Sequence, residues 1–70
     1  MAGSRKYRVE QNGQFLGHFG GNNPYEAILA AYNKNANFYY GIDKNGMFDV
    51  YRFNHHWIIN GNTQEVINER

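Results

Sequence analysis

The chain has 70 residues, 41% hydrophobic and 17% aromatic, with seven Lys plus Arg against six Asp plus Glu for a net charge of +1. That length allows one core, burying only roughly 60% of the surface the unfolded chain exposes. The absence of cysteine excludes disulfides and thiolate metal sites, and the charge is too balanced for a strongly basic nucleic-acid binder or an acidic tail. No apolar run approaches the roughly 18 residues of a membrane span and no signal-like leader stands at the start, so the chain reads as intracellular. A core this small is expected to gain from oligomerisation.

Met1 to Ser4 reads as a disordered leader or expression scar, and residues 5–70 as a single domain. Asn12-Gly13 is a hairpin signal between two alternating runs. Tyr7 and Val9 alternate with Lys6, Arg8 and Glu10, so the spacing predicts a hairpin of residues 6–11 and 14–19 with its charges outward. On the return strand Phe15, Gly17 and Phe19 are expected on one face. Gly20-Gly21 then reads as a sharp strand-to-helix turn. Asn23 as N-cap, Pro24 at the first helical position and Glu26 three residues after the cap predict a capping box, worth about 1 kcal/mol. The helix is expected to run to residues 33–35, with Tyr25, Ile28, Leu29 and Tyr32 at helical spacing and Lys34 near its negative end.

Residues 37–53 read as a second hairpin about a Lys44-Asn45-Gly46 loop, with Ile42 opposite Phe48 and Tyr40 opposite Val50. Phe38, Tyr40, Ile42, Phe48 and Val50 then form a core face, and Tyr39, Asp43, Asp49, Tyr51 and Phe53 the other. "HHWII" extends or restarts a strand, and Asn62 or Thr63 with Glu65 gives a helix signal in the tail. The expected fold is α+β: two β-hairpins in a small curled antiparallel sheet packed on one helix.

Catalysis finds little support. The one serine is Ser4, and His18, His55 and His56 have no matched nucleophile or carboxylate spacing. Adjacent histidines on a strand point to opposite faces, so His55 and His56 do not chelate one metal. Neither catalytic nor metal residues are assigned, and no cofactor is expected. Gly20-Gly21 before a helix lacks the lysine of a nucleotide loop and reads as a turn. Binding remains. Arg5, Lys6 and Arg8 cluster at the start, with Arg52 on a neighbouring strand, as phosphate contacts require; Glu10 shares their face.

The run "GHFGG" followed by "NNPYEAILAAYN" resembles the MC1 family of archaeal chromosomal proteins and related small proteins of giant DNA viruses. The shared pattern is Gly17-x-Phe19-x-Gly21-x-x-Pro24-x-x-Ala27-x-Leu29-x-Ala31, and "KYRVEQNGQ" is similar to the family's first hairpin. The resemblance covers roughly residues 5 to 59, loosely in the second hairpin. It implies a curled pseudo-barrel with one helix that bends double-stranded DNA with little sequence specificity, in a virion or host nucleus for a viral member. Arg5 and Arg52 match basic positions of the family. Asn22, Tyr25 and Ala30 stand where archaeal members are basic, and the family's lysine-rich extension has no counterpart after Asn60. A lesser resemblance, through "FLGHF" and "EAILAAYNKNANFYYG", is to the AP2 DNA-binding domain.

These readings give an architectural or genome-packaging protein holding DNA phosphates with Lys6, Arg8 and Arg52, assisted by Arg5 and Lys34. The alternative is an oligomeric virion or host-interaction module that kept the fold without DNA binding, its interface formed by Tyr39, Tyr51, Phe53 and Trp57. One contiguous basic face supports DNA binding, whereas interleaving with Glu10, Asp43 and Asp49 supports the alternative.

Overall fold

The computed structural model of the chain describes residues 5–35 and 42–69, with side chains up to Val66. In chain order the elements are β1 (Arg5–Gln11), β2 (Gln14–Gly21), α1 (Pro24–Asn35), β3 (Met47–Arg52), β4 (His55–Asn60) and β5 (Val66–Glu69). The fold is α+β. One antiparallel sheet runs β2-β1-β3-β4-β5 and is open, with β2 and β5 at its two ends. Phe38, Tyr39 and Tyr40 lie outside the described residues.

The first hairpin forms as its turn chemistry dictates. Asn12 and Gly13 both take positive φ, 53° and 81°, the pattern of a type I′ turn. Tyr7 and Val9 are buried while Lys6 and Arg8 are exposed. The return strand differs from the expected alternation. Gln11 pairs Gln14 and Glu10 pairs Phe15, but Val9 then pairs Gly17, so Leu16 is the extra residue of a β-bulge. Phe15, 46% exposed, and the buried Leu16 keep the orientation of a plain hairpin. Beyond the bulge the parity flips, so that His18 faces outward beside Arg8 and Phe19 inward beside Tyr7, on the opposite face from Phe15. Gly17 carries the bulge at φ +130°, a conformation that favours glycine.

The double glycine is not the turn. Strand β2 continues through it, with Gly20 paired to Lys6 and Gly21 to Arg5. Neither glycine needs positive φ. Gly21 is required for closeness, since a Cβ there would lie 2.7 Å from Cβ of Glu26. Asn22 and Asn23 make the joint instead. Glu26 N donates to Asn23 Oδ1 at 3.0 Å, and Glu26 Oε1 accepts from Asn22 N at 2.8 Å, so the box closes one residue before the cap. Helix α1 buries Ala27, Ile28, Ala31 and Asn35; Tyr25, Leu29 and Tyr32 are only half-buried. The small side chains of Ala27 and Ala31, both fully buried, let the helix sit close on the sheet. At its end Asn35 Nδ2 donates to Leu16 O at 3.0 Å and Ala31 O at 2.9 Å, tying the helix to β2.

The second hairpin is not the expected one. Strand β3 pairs β4 along its whole length and β1 through Asp49–Tyr51, so a partner strand over residues 37–42 has no edge of β3 left there. The turn of this hairpin is Phe53-Asn54, and Lys44-Asn45-Gly46 is a turn leading into β3. Gly46 N donates to Asp43 O at 3.0 Å, and Asn45 N to Asp43 Oδ1 at 3.0 Å. Phe48 and Val50 are fully buried as expected, with Ile42 packed against the core. The tail is a strand, not a helix: Asn60 Oδ1 accepts from Asn62 N and Thr63 N, and the loop these bonds shape returns the chain along β4.

One side chain holds the loop before β3. Gln11 is buried at the end of β1, where Nε2 donates to Asp43 O at 2.8 Å and Met47 O at 3.3 Å, and Oε1 accepts from Asp43 N at 2.8 Å. Gln11→Met keeps the volume but leaves Asp43's N–H and carbonyl without these partners. The expected loss is about 1–3 kcal/mol of unfolding free energy by urea denaturation.

Candidate functional site

The sheet has two unlike faces. Its inner face packs Tyr7, Val9, Phe48, Val50 and Ile59 against Ala27, Ile28 and Ala31 of the helix. The register aligns the outer face as rungs. One rung reads His18, Arg8, Tyr51, His56 across β2-β1-β3-β4; the next reads Phe15, Glu10, Asp49, Ile58. An open groove of about 830 Å³ lies over this face, lined by Arg5, Lys6, Arg8, Glu10, His18, Tyr51, Arg52 and Phe53.

Four of the chain's seven Lys and Arg therefore line one groove, 40 or more residues apart in sequence for Arg8 and Arg52, with Glu10 as its one carboxylate among the described residues. Glu10 and Asp49 are direct cross-strand neighbours, a like-charge pairing that costs stability unless compensated. Compensation is at hand. Arg8 Nη2 lies 2.6 Å from Glu10 Oε2, and His56 Nε2 lies 2.9 Å from Asp49 Oδ1. The Arg8 side chain is still 53% exposed, so its pairing adds little stability and leaves the guanidinium facing solvent. The groove is thus polarised, cationic toward the start of β1 and the end of β3.

Aromatic rings alternate with these cations. The Arg8 guanidinium carbon lies 5.2 Å from the Phe15 ring centroid and 5.9 Å from that of Tyr51; Arg52 lies 4.4 Å from that of Phe53. Tyr51 also stacks on His56 at 4.2 Å. Desolvation raises the Tyr51 phenol above its ordinary 10.0; Asp49 and Glu10 add to the rise and Arg8 opposes it. The phenol is therefore neutral at physiological pH.

Arg5, Lys6, Arg8 and Arg52 are brought together as expected. Lys34 is not: it stands exposed in the last turn of α1, the layer behind the sheet. Of the residues expected to form a separate aromatic interface, Tyr39 lies outside the described residues, and the other three do not share one surface. Tyr51 and Phe53 line the cationic groove itself, whereas Trp57 takes the inner-face parity of Val50, packs against the core and meets Tyr7 edge-on at 5.9 Å. His18 joins the outer face because of the bulge at Leu16, whereas Phe15, opposite Glu10, faces outward in the plain hairpin register as well. An uninterrupted two-residue hairpin would set Gly17 opposite Arg8, and the sequence carries no sign of the extra residue beyond the unexplained Gly17.

No protein-family model, curated protein or solved structure matches the chain significantly.

Two expectations follow from this packing. Trp57→Ala should cost about 2–4 kcal/mol of stability in denaturant unfolding, while leaving the residues that line the groove in place. The raised Tyr51 pKa favours the folded state below pH 10, and that contribution is lost as pH climbs through the elevated value. Tyr51→Phe should therefore flatten the fall in stability measured above pH 10.

Proposed function

We propose that this chain is a small DNA-binding protein of the architectural or genome-packaging kind, without sequence specificity. The observation that carries the reading is the gathering of Arg5, Lys6, Arg8 and Arg52 on one groove, while among the described side chains Asp43 and Asp49 stay off its lining and Glu10 is the one carboxylate on it. Such side chains hold phosphates, and a contiguous cationic surface is what distinguishes a nucleic-acid face from a solvated one. The α+β order of strands and helix agrees with the MC1 resemblance, and the proposal extends to the architecture: an MC1-like pseudo-barrel left open between β2 and β5. The aromatic-interface alternative is not favoured, because its described residues are split, Tyr51 and Phe53 in the groove and Trp57 against the core.

Magnitudes limit the claim. Each phosphate neutralised contributes about 0.9 to the slope of log affinity against log salt, so four cations give a slope no steeper than about −4. A single copy then binds weakly at physiological salt. Two copies double the cationic surface, which makes self-association part of the proposal, as is action within a virion or host nucleus.

The test is fluorescence anisotropy with labelled DNA of random sequence at several salt concentrations, with the protein's mass in solution recorded alongside. Micromolar binding at low salt that weakens with a slope near −3 to −4 is expected. Lys6→Ala/Arg8→Ala should flatten that slope by about 2 and Lys34→Ala should leave it alone. A double variant with undiminished affinity would sink the reading.

A further inference from the structure

We infer that the groove prefers an unpaired strand to a duplex, with Phe53 and Tyr51 stacking on bases between the phosphate-holding cations. This rests on the nucleic-acid reading above and narrows its ligand. Three observations converge on it.

The first is Phe53. It lies 86% exposed at the first position of the two-residue β3–β4 turn, at φ +54°. Asn54 does not share the positive φ, which is the pattern of a type II′ turn, whose first position favours glycine. A bulky side chain in that conformation is strained, and an exposed ring gains nothing from burial to offset the strain. Folding therefore gives no reason for phenylalanine at this position. Arg52 covers one side of the ring at 4.4 Å, and the groove runs up to it.

The second is the layout of the face. Tyr51, neutral and stacked on His56, sits two residues from Phe53 on the same groove, with Arg8 between Tyr51 and Phe15. Rings interleaved with cations on a sheet face suit unstacked bases, whose π-faces are available only outside a duplex. The helix, the element best shaped for a major groove, lies behind the sheet and is withheld from this face.

The third is charge. Four cations facing one carboxylate make a poor grip on a duplex, where affinity comes from many phosphates. A single strand depends less on charge, because each stacked base adds its own contribution.

The test compares, at one salt concentration, a labelled 12-nucleotide deoxythymidine strand, a uridine strand of the same length, an abasic deoxyribose-phosphate strand and a 12-base-pair duplex. The base-bearing strands should bind at least tenfold more tightly than the duplex and the abasic strand. Phe53→Gly, which suits the turn, should keep or raise thermal stability while weakening strand binding roughly five- to hundredfold and leaving duplex binding nearly unchanged. The deoxythymidine and uridine arms show whether DNA or RNA is the better source of the strand. Duplex binding equal to or tighter than strand binding, or an abasic strand as good as the intact one, would overturn the inference while leaving the nucleic-acid reading standing. No binding to any probe would overturn both. Loss of a dimer in Phe53→Gly with no nucleic-acid binding would mark the ring as a self-association contact and likewise overturn it.

Discussion

Everything in this small fold depends on the seam between β1 and β3, where Arg8, Val9 and Glu10 face Tyr51, Val50 and Asp49. It is the described strand pairing that joins the two hairpins into one sheet. On its inner side it sets Val9 against Val50, both fully buried, at the centre of the core. On its outer side it lays Arg8 beside Tyr51 and so creates the groove. The two roles follow from one geometric fact, that neighbouring residues of a strand point to opposite faces. Gln11 extends the seam beyond the strands by holding the loop that enters β3. The same three pairs that close the core thus arrange the cations, and neither can be altered without the other.

The parts of this architecture readable from sequence were those with local causes. The Asn12-Gly13 turn, the Asn23 cap and the helix that follows are each decided by residues within a few positions of one another. The parts that were not readable depend on distant choices. Asn45-Gly46 carries the same chemistry as Asn12-Gly13, yet β3 finds its partner on the far side, through a turn begun by Phe53 where sequence rules favour glycine. The residues before β5, Asn62 or Thr63 with Glu65, read as a helix start; pairing along β4 makes the segment that follows a strand. The bulge at Leu16 has only Gly17 to announce it.

The candidate site divides in the same way. That Lys6 and Arg8 share an outward face follows from alternation alone. That Arg52 and Phe53 belong to the same groove depends on the seam. Sequence reasoning separated the cations from the aromatics as two competing surfaces. Folding merges Tyr51 and Phe53 with the cations and sends Trp57 to the core, since its parity on β4 matches Val50 and Ile59 rather than Tyr51. Charge counting over the whole chain could not have revealed this, because a net of +1 hides a groove in which cations outnumber carboxylates.

The seam also bears on how the chain reaches this state. Its partners lie roughly forty residues apart, whereas the β1–β2 turn and the β3–β4 turn each close over two residues. Loop-closure entropy makes such long-range pairing the slow part of folding, while hairpins form in about microseconds on their own. The two hairpins and the helix are therefore the early, local pieces, and their docking is the late event. The groove has no existence in either hairpin alone, so the surface that distinguishes this protein is assembled only at the last step of its folding.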